Sequence, residues 1–239
     1  MKKLFHRLTL LAAIIGLALF AVPCKTAMAK PEDSFVQILF DVNSDMVQAA
    51  GSGSGAVIKK VKNGGYVLTA AHICLPGVYG YKTPDPGDLL FVEINVLDKD
   101  LNFYKGTVFG FDLDKDLCLL YVDGIDLPAI EIASRPPRKH EEAVNVAAPL
   151  GMFGEDLMPY FEGHYLGTIY DSWVDVMESN ETAVYSIPAA GGSSGSPVLN
   201  KYGRLIGMIH SVYPAMHHLS LSPTWGQIDS FIKRQLGDL

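Results

Sequence analysis

Residues 54–70 read "SGAVIKKVKNGGYVLTA". Two short runs rich in Val, Ile, Leu and Tyr flank Asn63-Gly64, a pair that favours the tight reversals joining antiparallel strands. The stretch predicts a β-hairpin, and the same grammar continues on both sides of it. Upstream lies "SFVQILFDV" (34–42). Downstream come "LLFVEINVL" (89–97), "FYKGTVFGFDL" (103–113), "DLCLLYV" (116–122), "AVNVAAPL" (143–150), "HYLGTIYD" (164–171), "TAVYSI" (182–187), "SPVLN" (196–200) and "RLIGMIHSV" (204–212). Many short strands broken by Gly, Pro, Asn and Asp indicate an all-β sandwich or a pair of barrels. The polar, proline-rich "IASRPPRKHEEA" (132–143) is the candidate linker between two halves. One helix is expected near the C-terminus, where Ser222 can cap, Pro223 suits the first turn, and Trp225, Ile228, Ile232 and Leu236 share a face until Gly237. No internal repeat or low-complexity tract is visible.

Of the 239 residues, 49% are hydrophobic and 19% charged, enough apolar material for a core of ordinary globular type. The formal charge of −7 argues against a nucleic-acid partner, because phosphate contacts need clustered Lys and Arg. The N-terminus reads as an export signal: basic "MKKLFHR", apolar "LTLLAAIIGLALFAV", and small-x-small Ala27-Met28-Ala29 before Lys30. The apolar run is short of the roughly 20 residues that span a bilayer. Cleavage after Ala29 predicts a periplasmic or secreted protein with no stable membrane span, and an uncleaved signal anchor is the alternative. Val22 and Pro23 do not suit a lipoprotein signal at Cys24. Two cysteines then remain, Cys74 and Cys118. In an oxidising compartment an even count suggests a disulfide, although two buried thiols fit the composition as well.

Four stretches carry chemistry. His72 follows the strand-like "VLTAA", and a lone histidine beside apolar residues is ordinarily a packing residue. In "DLDKDLCLLYV" (112–122), Asp112 and Asp114 read as exposed turn carboxylates. Asp116 opens an apolar strand, and its burial costs several kcal/mol (roughly) unless donors meet it. The glycine run 51–55 lacks the Lys-Ser/Thr ending and following helix of a phosphate cradle, so it reads as structural. The fourth stretch, "AAGGSSGSPV" (189–198), is a candidate nucleophile loop. Its Gly191–Gly195 also fits G-x-S-x-G, the α/β-hydrolase elbow, but that fold needs an acid between serine and histidine. None lies between Ser193 and His218, the last histidine, and alternating strands and helices are missing. No histidine has metal-ligand spacing, and no cofactor is implied.

Gly192-Ser193-Ser194-Gly195-Ser196-Pro197 resembles the nucleophile loop of the trypsin-like (chymotrypsin-fold) serine proteases. Thr69-Ala70-Ala71-His72 resembles that family's histidine motif. Asp112-x-x-x-Asp116-Leu117-x-Leu119-Leu120 resembles the aspartate motif of its bacterial HtrA and glutamyl endopeptidase branches. The order of the three motifs matches too, and the resemblance spans residues 34–232. It implies two antiparallel six-stranded β-barrels with a C-terminal α-helix: residues 30–135 would carry His72 and Asp116, and 136–239 would carry Ser194. It implies Ser194 as nucleophile, His72 as general base and acid, Asp116 as the group orienting the imidazole, and the N–H groups of Gly192 and Ser194 as an oxyanion hole. The substrate would be a protein or peptide, and catalysis would need no metal or organic cofactor. Ser193 departs from the family's Asp or Asn, which puts a zymogen-type activation switch in doubt. Pro188 and Ala189 should lie at the base of the substrate pocket, with His210 and Ser211 along one wall. No Asp at that base argues against an Arg or Lys preference. His210 falls one residue later than the histidine that holds an acidic side chain in glutamyl endopeptidases, and one step along a strand flips a side chain. Each cysteine lies two residues past a triad position, so a bond would bridge the segments carrying acid and base. The competing class is a catalytically silent homologue acting as a binding module, which usually loses a triad residue or the oxyanion glycine; all are present here.

Overall fold

In the computed structural model the described residues are 30–43, 48–76, 92–170, 181–213 and 216–237. The predicted export signal and Cys24 lie outside them. The hairpin at Asn63-Gly64 forms between β2 (Gln48–Val61) and β3 (Gly64–Thr69), but its tip sits one residue early. Val61 pairs with Gly64, so Lys62 and Asn63 make the turn. Gly64 is needed for another reason: a Cβ there would collide with the carbonyl oxygen of Val122 on the adjoining strand.

Around this hairpin, β1 (Phe35–Asn43), β4 (Val92–Leu97), β5 (Phe103–Asp112) and β6 (Leu117–Asp123) complete a closed six-stranded barrel in the order β1-β2-β3-β6-β5-β4. β5 alternates exposed and half-buried residues, as a strand with one wet face should. β6 is buried almost throughout, which accounts for its unbroken apolar run. Its side chains share one core with Val57, Val67 and Val96 and with Ile228, Phe231 and Ile232 from the C-terminal helix.

The second half contains β7 (Glu142–Val146), β8 (Tyr160–Tyr170), β9 (Glu181–Tyr185), β10 (Pro197–Asn200), β11 (Leu205–Met208), β12 (Ser211–Tyr213) and β13 (Met216–Pro223). They form one sheet in the order β11-β10-β7-β8-β9-β13-β12. It curls over a core that includes Ala143, Tyr185, Ile187, Val198, Ile206 and Ile209. This is a curled half-barrel where a second closed six-stranded barrel was expected. The difference lies in "RLIGMIHSV", read from sequence as one strand. It breaks at Ile209 and His210 into β11, paired with β10, and β12, paired with β13. At the break, main-chain bonds go elsewhere: Gly195 N donates to Ile209 O (2.6 Å) and Ile209 N to Ser196 O (2.9 Å).

The connecting segment 132–143 is tied down rather than loose. Ala133 N donates to Leu205 O (3.0 Å) and the Trp225 indole to Ala133 O (2.9 Å). Arg135 forks onto both oxygens of Glu141, holding that carboxyl below its usual range despite partial burial.

After α1 (Ala71–Cys74), the helix α2 (Trp225–Leu236) closes the fold. Its cap is Thr224, with Gln227 completing the reciprocal pair, and not Ser222 as the sequence suggested. Ser222 lies in β13, where it accepts from Met208 N, and Pro223 ends that strand instead of opening the helix. The helix end is fastened to the first barrel. Lys59 donates to the Leu236 carbonyl (3.2 Å) and Arg234 to Asp112 (2.8 Å).

One buried carboxylate organises the β4–β5 turn. Asp98 accepts from the amides of Asp100 and Asn102, the Asn102 side chain and the Tyr104 hydroxyl, all at 2.9–3.0 Å. Burial opposes its charge, but these donors outweigh burial and lower its pKa. A depressed folded-state pKa means the stabilisation is complete above about pH 4 and is lost as pH falls through the folded value. Asp98→Ala should therefore cost about 2 kcal/mol at neutral pH, with a deficit that narrows below pH 4. Urea denaturation at both pH values checks this.

Candidate active site

β3 ends at Thr69 and the chain turns into α1, so His72 occupies a helical turn rather than a strand end. α1 has no side-chain cap of its own, and first-turn N–H groups need acceptors. Asp116 supplies them from the adjoining hairpin. Its carbonyl accepts from Ala71 N at 3.2 Å, and its Oδ1 from His72 N at 2.9 Å. Its Oδ2 lies 2.8 Å from His72 Nδ1. A carboxylate only accepts, so Nδ1 carries a proton, and in the neutral ring Nε2 then keeps its lone pair. Such a histidine can take a proton at Nε2 and hold the resulting charge against the carboxylate.

Asp116 reaches this position with φ of 52°, a left-handed conformation that Asp tolerates better than most residues. The turn before it is braced. Asp116 N donates to Leu113 O (3.3 Å), and Lys115 N to Asp112 Oδ1 (3.1 Å). Asp112, expected as an exposed carboxylate, is half-buried because its second oxygen receives Arg234 from α2. Asp114 is exposed, as expected. A disulfide joins Cys74 at the end of α1 to Cys118 on β6, fastening the two segments that hold the histidine and the aspartate.

The loop 189–196 approaches from the second sheet. Gly192 has φ of 92°, and a Cβ there would lie 2.5 Å from Ala148 O. Only glycine fits this conformation and this gap. Gly195, with φ of 88°, presses onto the first barrel, where a Cβ would meet Ser54 O and Thr69 Oγ1. Ser193 is buried; its N–H donates to Ala190 O (2.9 Å) and its Oγ accepts from Ala190 N (3.3 Å), closing a local turn. Where the family's acidic residue would sit, the loop is held by this short-range pair. Ser196 is also buried, its Oγ accepting from Asn145 Nδ2 at 2.8 Å. Ser194 differs from both: half-buried, its Oγ–H donates to His210 O at 3.4 Å. Among the described residues the N–H groups of Gly192 and Ser194 donate to no protein acceptor, while Leu150 N takes the Gly191 carbonyl at 2.6 Å.

The residue that seats this loop was not singled out from the sequence. Ser54 is fully buried on β2. Its N–H donates to Ser194 O (2.7 Å), its Oγ donates to Gly192 O (2.8 Å), and that Oγ accepts from Ala148 N (3.0 Å). Its carbonyl accepts from Thr69 Oγ1 (2.8 Å). The glycine run 51–55 is thus strand, as read, but one of its serines joins the two halves. Of the residues expected along the pocket, Pro188 is exposed, Ala189 is buried and donates to His217 O (3.1 Å), and Ser211 opens β12. The His210 ring faces Asp116, with Nδ1 3.8 Å from Oδ2.

The family model described as a trypsin-like peptidase domain matches residues 53–208. The chain belongs to the trypsin-like peptidases. Structures sharing this peptidase's fold include the active form of the Rv3671c protease from M. tuberculosis, with a TM-score of 0.67 and 18% identity over 87% of this chain and 83% of that one. An inactive form of the same protease gives 0.63 and 19%, covering 86% and 90%. The serine endoprotease from Yersinia pestis gives 0.61 and 17%, covering 87% of this chain and 64% of its own. These likenesses establish a chymotrypsin-like fold for the peptidase: one closed barrel, one curled half-barrel and a C-terminal helix. No curated protein matches its sequence. Among the described residues no helix is long and apolar enough to cross a membrane, and no group of three His, Cys, Asp or Glu is arranged to hold a metal ion.

Ser54→Ala strands the Gly192 carbonyl and the Ala148 amide in a buried place. It should cost about 1–3 kcal/mol for each orphaned group. Chemical denaturation of the full chain checks the loss.

Proposed function

We propose that this trypsin-like peptidase is an exported serine endopeptidase acting through His72, Asp116 and Ser194. The observation that carries the reading is the pair of hydrogen bonds that Asp116 accepts from His72, one from the backbone N–H and one from Nδ1. That arrangement fixes the ring's position and its tautomer together, leaving Nε2 as the base. Ser194 attacks the scissile carbonyl carbon through Oγ while His72 Nε2 takes the hydroxyl proton. The same proton then goes to the departing amine as the C–N bond breaks, leaving an acyl ester on Ser194. Water attacks that ester by the same proton path, releasing the acid and restoring the serine. The N–H groups of Gly192 and Ser194 stabilise the oxyanion, and the positive φ of Gly192 supports this role. Pro188, Ala189, His210 and Ser211 form the substrate pocket in this reading. Family membership makes a protein or peptide the substrate class, with no cofactor required. Residues 1–29 act as the export signal and place the enzyme in the periplasm or outside the cell. The disulfide between Cys74 and Cys118 fits such an oxidising compartment. The division at residue 135 separates the half bearing acid and base from the half bearing the nucleophile.

A fluorophosphonate probe should label the wild type and fail on Ser194→Ala, while Ser193→Ala, buried and local in its bonding, should still be labelled. Labelling lost only in Ser193→Ala would reverse the assignment, and no labelling in any background would favour a binding module. Asp116→Asn should leave the fold in place and lower turnover of a library-selected peptide by about 10⁴-fold, because the amide holds the wrong tautomer.

A further inference from the structure

Two imidazoles face one oxygen of Asp116. His72 Nδ1 is 2.8 Å from Oδ2, and His210 Nδ1 is 3.8 Å from the same atom. His210 sits in the break between β11 and β12, which places its ring at the aspartate and its carbonyl at the nucleophile. The carbonyl accepts the Ser194 hydroxyl at 3.4 Å, and its N–H is anchored to Leu221 O at 3.0 Å. At 3.8 Å the ring is beyond direct hydrogen-bond length, yet close enough that a charge on it alters the carboxylate that serves His72. The rings of His72 and His210 are each about a quarter exposed, so protons reach both from solvent.

We propose that His210 is a positioning residue whose protonation draws on the catalytic aspartate, adding a second acid-side loss of activity to that of His72. The proposal rests on the triad reading above. While His210 is neutral, the Asp116 charge serves His72 alone. A proton on His210 makes an imidazolium facing Oδ2, and the carboxylate is then shared between two cations when His72 takes the serine proton. A charge on His210 also opposes a charge on His72, and the reverse. Among the described residues, the titratable groups on the elements around His210 are these. Asp116 comes from the turn before β6 and His72 from α1. The loop 189–196 and residues 51–58 of β2 contribute none. On β13 they are His217 and His218, exposed at the far end where Tyr213 pairs with Met216, and on β9 Glu181 at its start and, at its end, Tyr185, whose hydroxyl donates to Ile206 O.

The test is the pH dependence of fluorophosphonate inactivation from pH 4 to 9 for wild type, His210→Asn and His210→Gln. Whatever the plateau rate, the wild-type logarithmic acid limb should approach a slope of 2, and both variants should fall with a slope of 1. A wild-type slope of 1, or variants that keep a slope of 2, would overturn the proposal. A second measurement needs neither turnover nor the variants: NMR titration of the histidine rings in the full-length Ser194→Ala protein. His72 and His210 should each show both inflections, and Asp116→Asn in that background should move the transitions of both rings to lower pH, because the negative charge they share is gone. Independent single-step titrations, unmoved by Asp116→Asn, overturn the proposal even if the His210 variants do not fold. Absence of wild-type labelling at every pH counts against the triad reading instead, and the ring titrations still decide the coupling.

Discussion

A buried carboxylate is tolerable only when donors surround it, and much of this molecule's first half is arranged so that Asp116 meets them. The short helix α1 has no cap of its own and takes both acceptors it needs from Asp116. The turn that delivers Asp116 adopts a left-handed residue, a side-chain brace from Asp112 and a clamp from Arg234. The disulfide then fixes α1 against β6 just beyond the paired groups. The geometry of the histidine is therefore a by-product of satisfying the aspartate, and preorganisation comes from ordinary requirements of burial.

The second constraint is the joint between the two sheets. A loop rich in glycine has many conformations, and its useful one must be imposed from outside. Here Ser54 does so by gripping the main chain at Gly192 and Ser194, while Gly195 lies flush against the same strand. The break in the second sheet serves this joint. Ile209 gives its carbonyl and N–H to the loop 189–196, bonds that a continuous strand would have spent on its neighbours. A strand interrupted at the candidate site is the cost of seating that loop, and it also puts the His210 ring beside the aspartate.

Most of the strands were legible because their residue types and turn signals are local. So were the motifs around His72, Asp116 and Ser194, whose order carries the family resemblance. What was misread shares a physical character. The hairpin tip shifted because Gly64 answers to Val122 across the sheet rather than to the turn. The helix cap moved from Ser222 to Thr224 because β13 claims Ser222 and Pro223. "RLIGMIHSV" looked continuous because its break is dictated by Gly195 and Ser196, not by its own residues. Ser54 was passed over within a glycine run because its partners lie 94 and 138 positions away. Local propensity is blind to such contacts.

The clamp between Arg234 and Asp112 spans 122 positions and ties the last turn of α2 to the loop that presents the acid. A contact of such separation closes a long loop, at an entropic cost that rises only slowly with its length. The acid-bearing turn has this brace only while α2 is docked. Loss of α2 from the first barrel would therefore be felt at the turn that carries Asp116, although the helix touches neither His72 nor Ser194 through this pair.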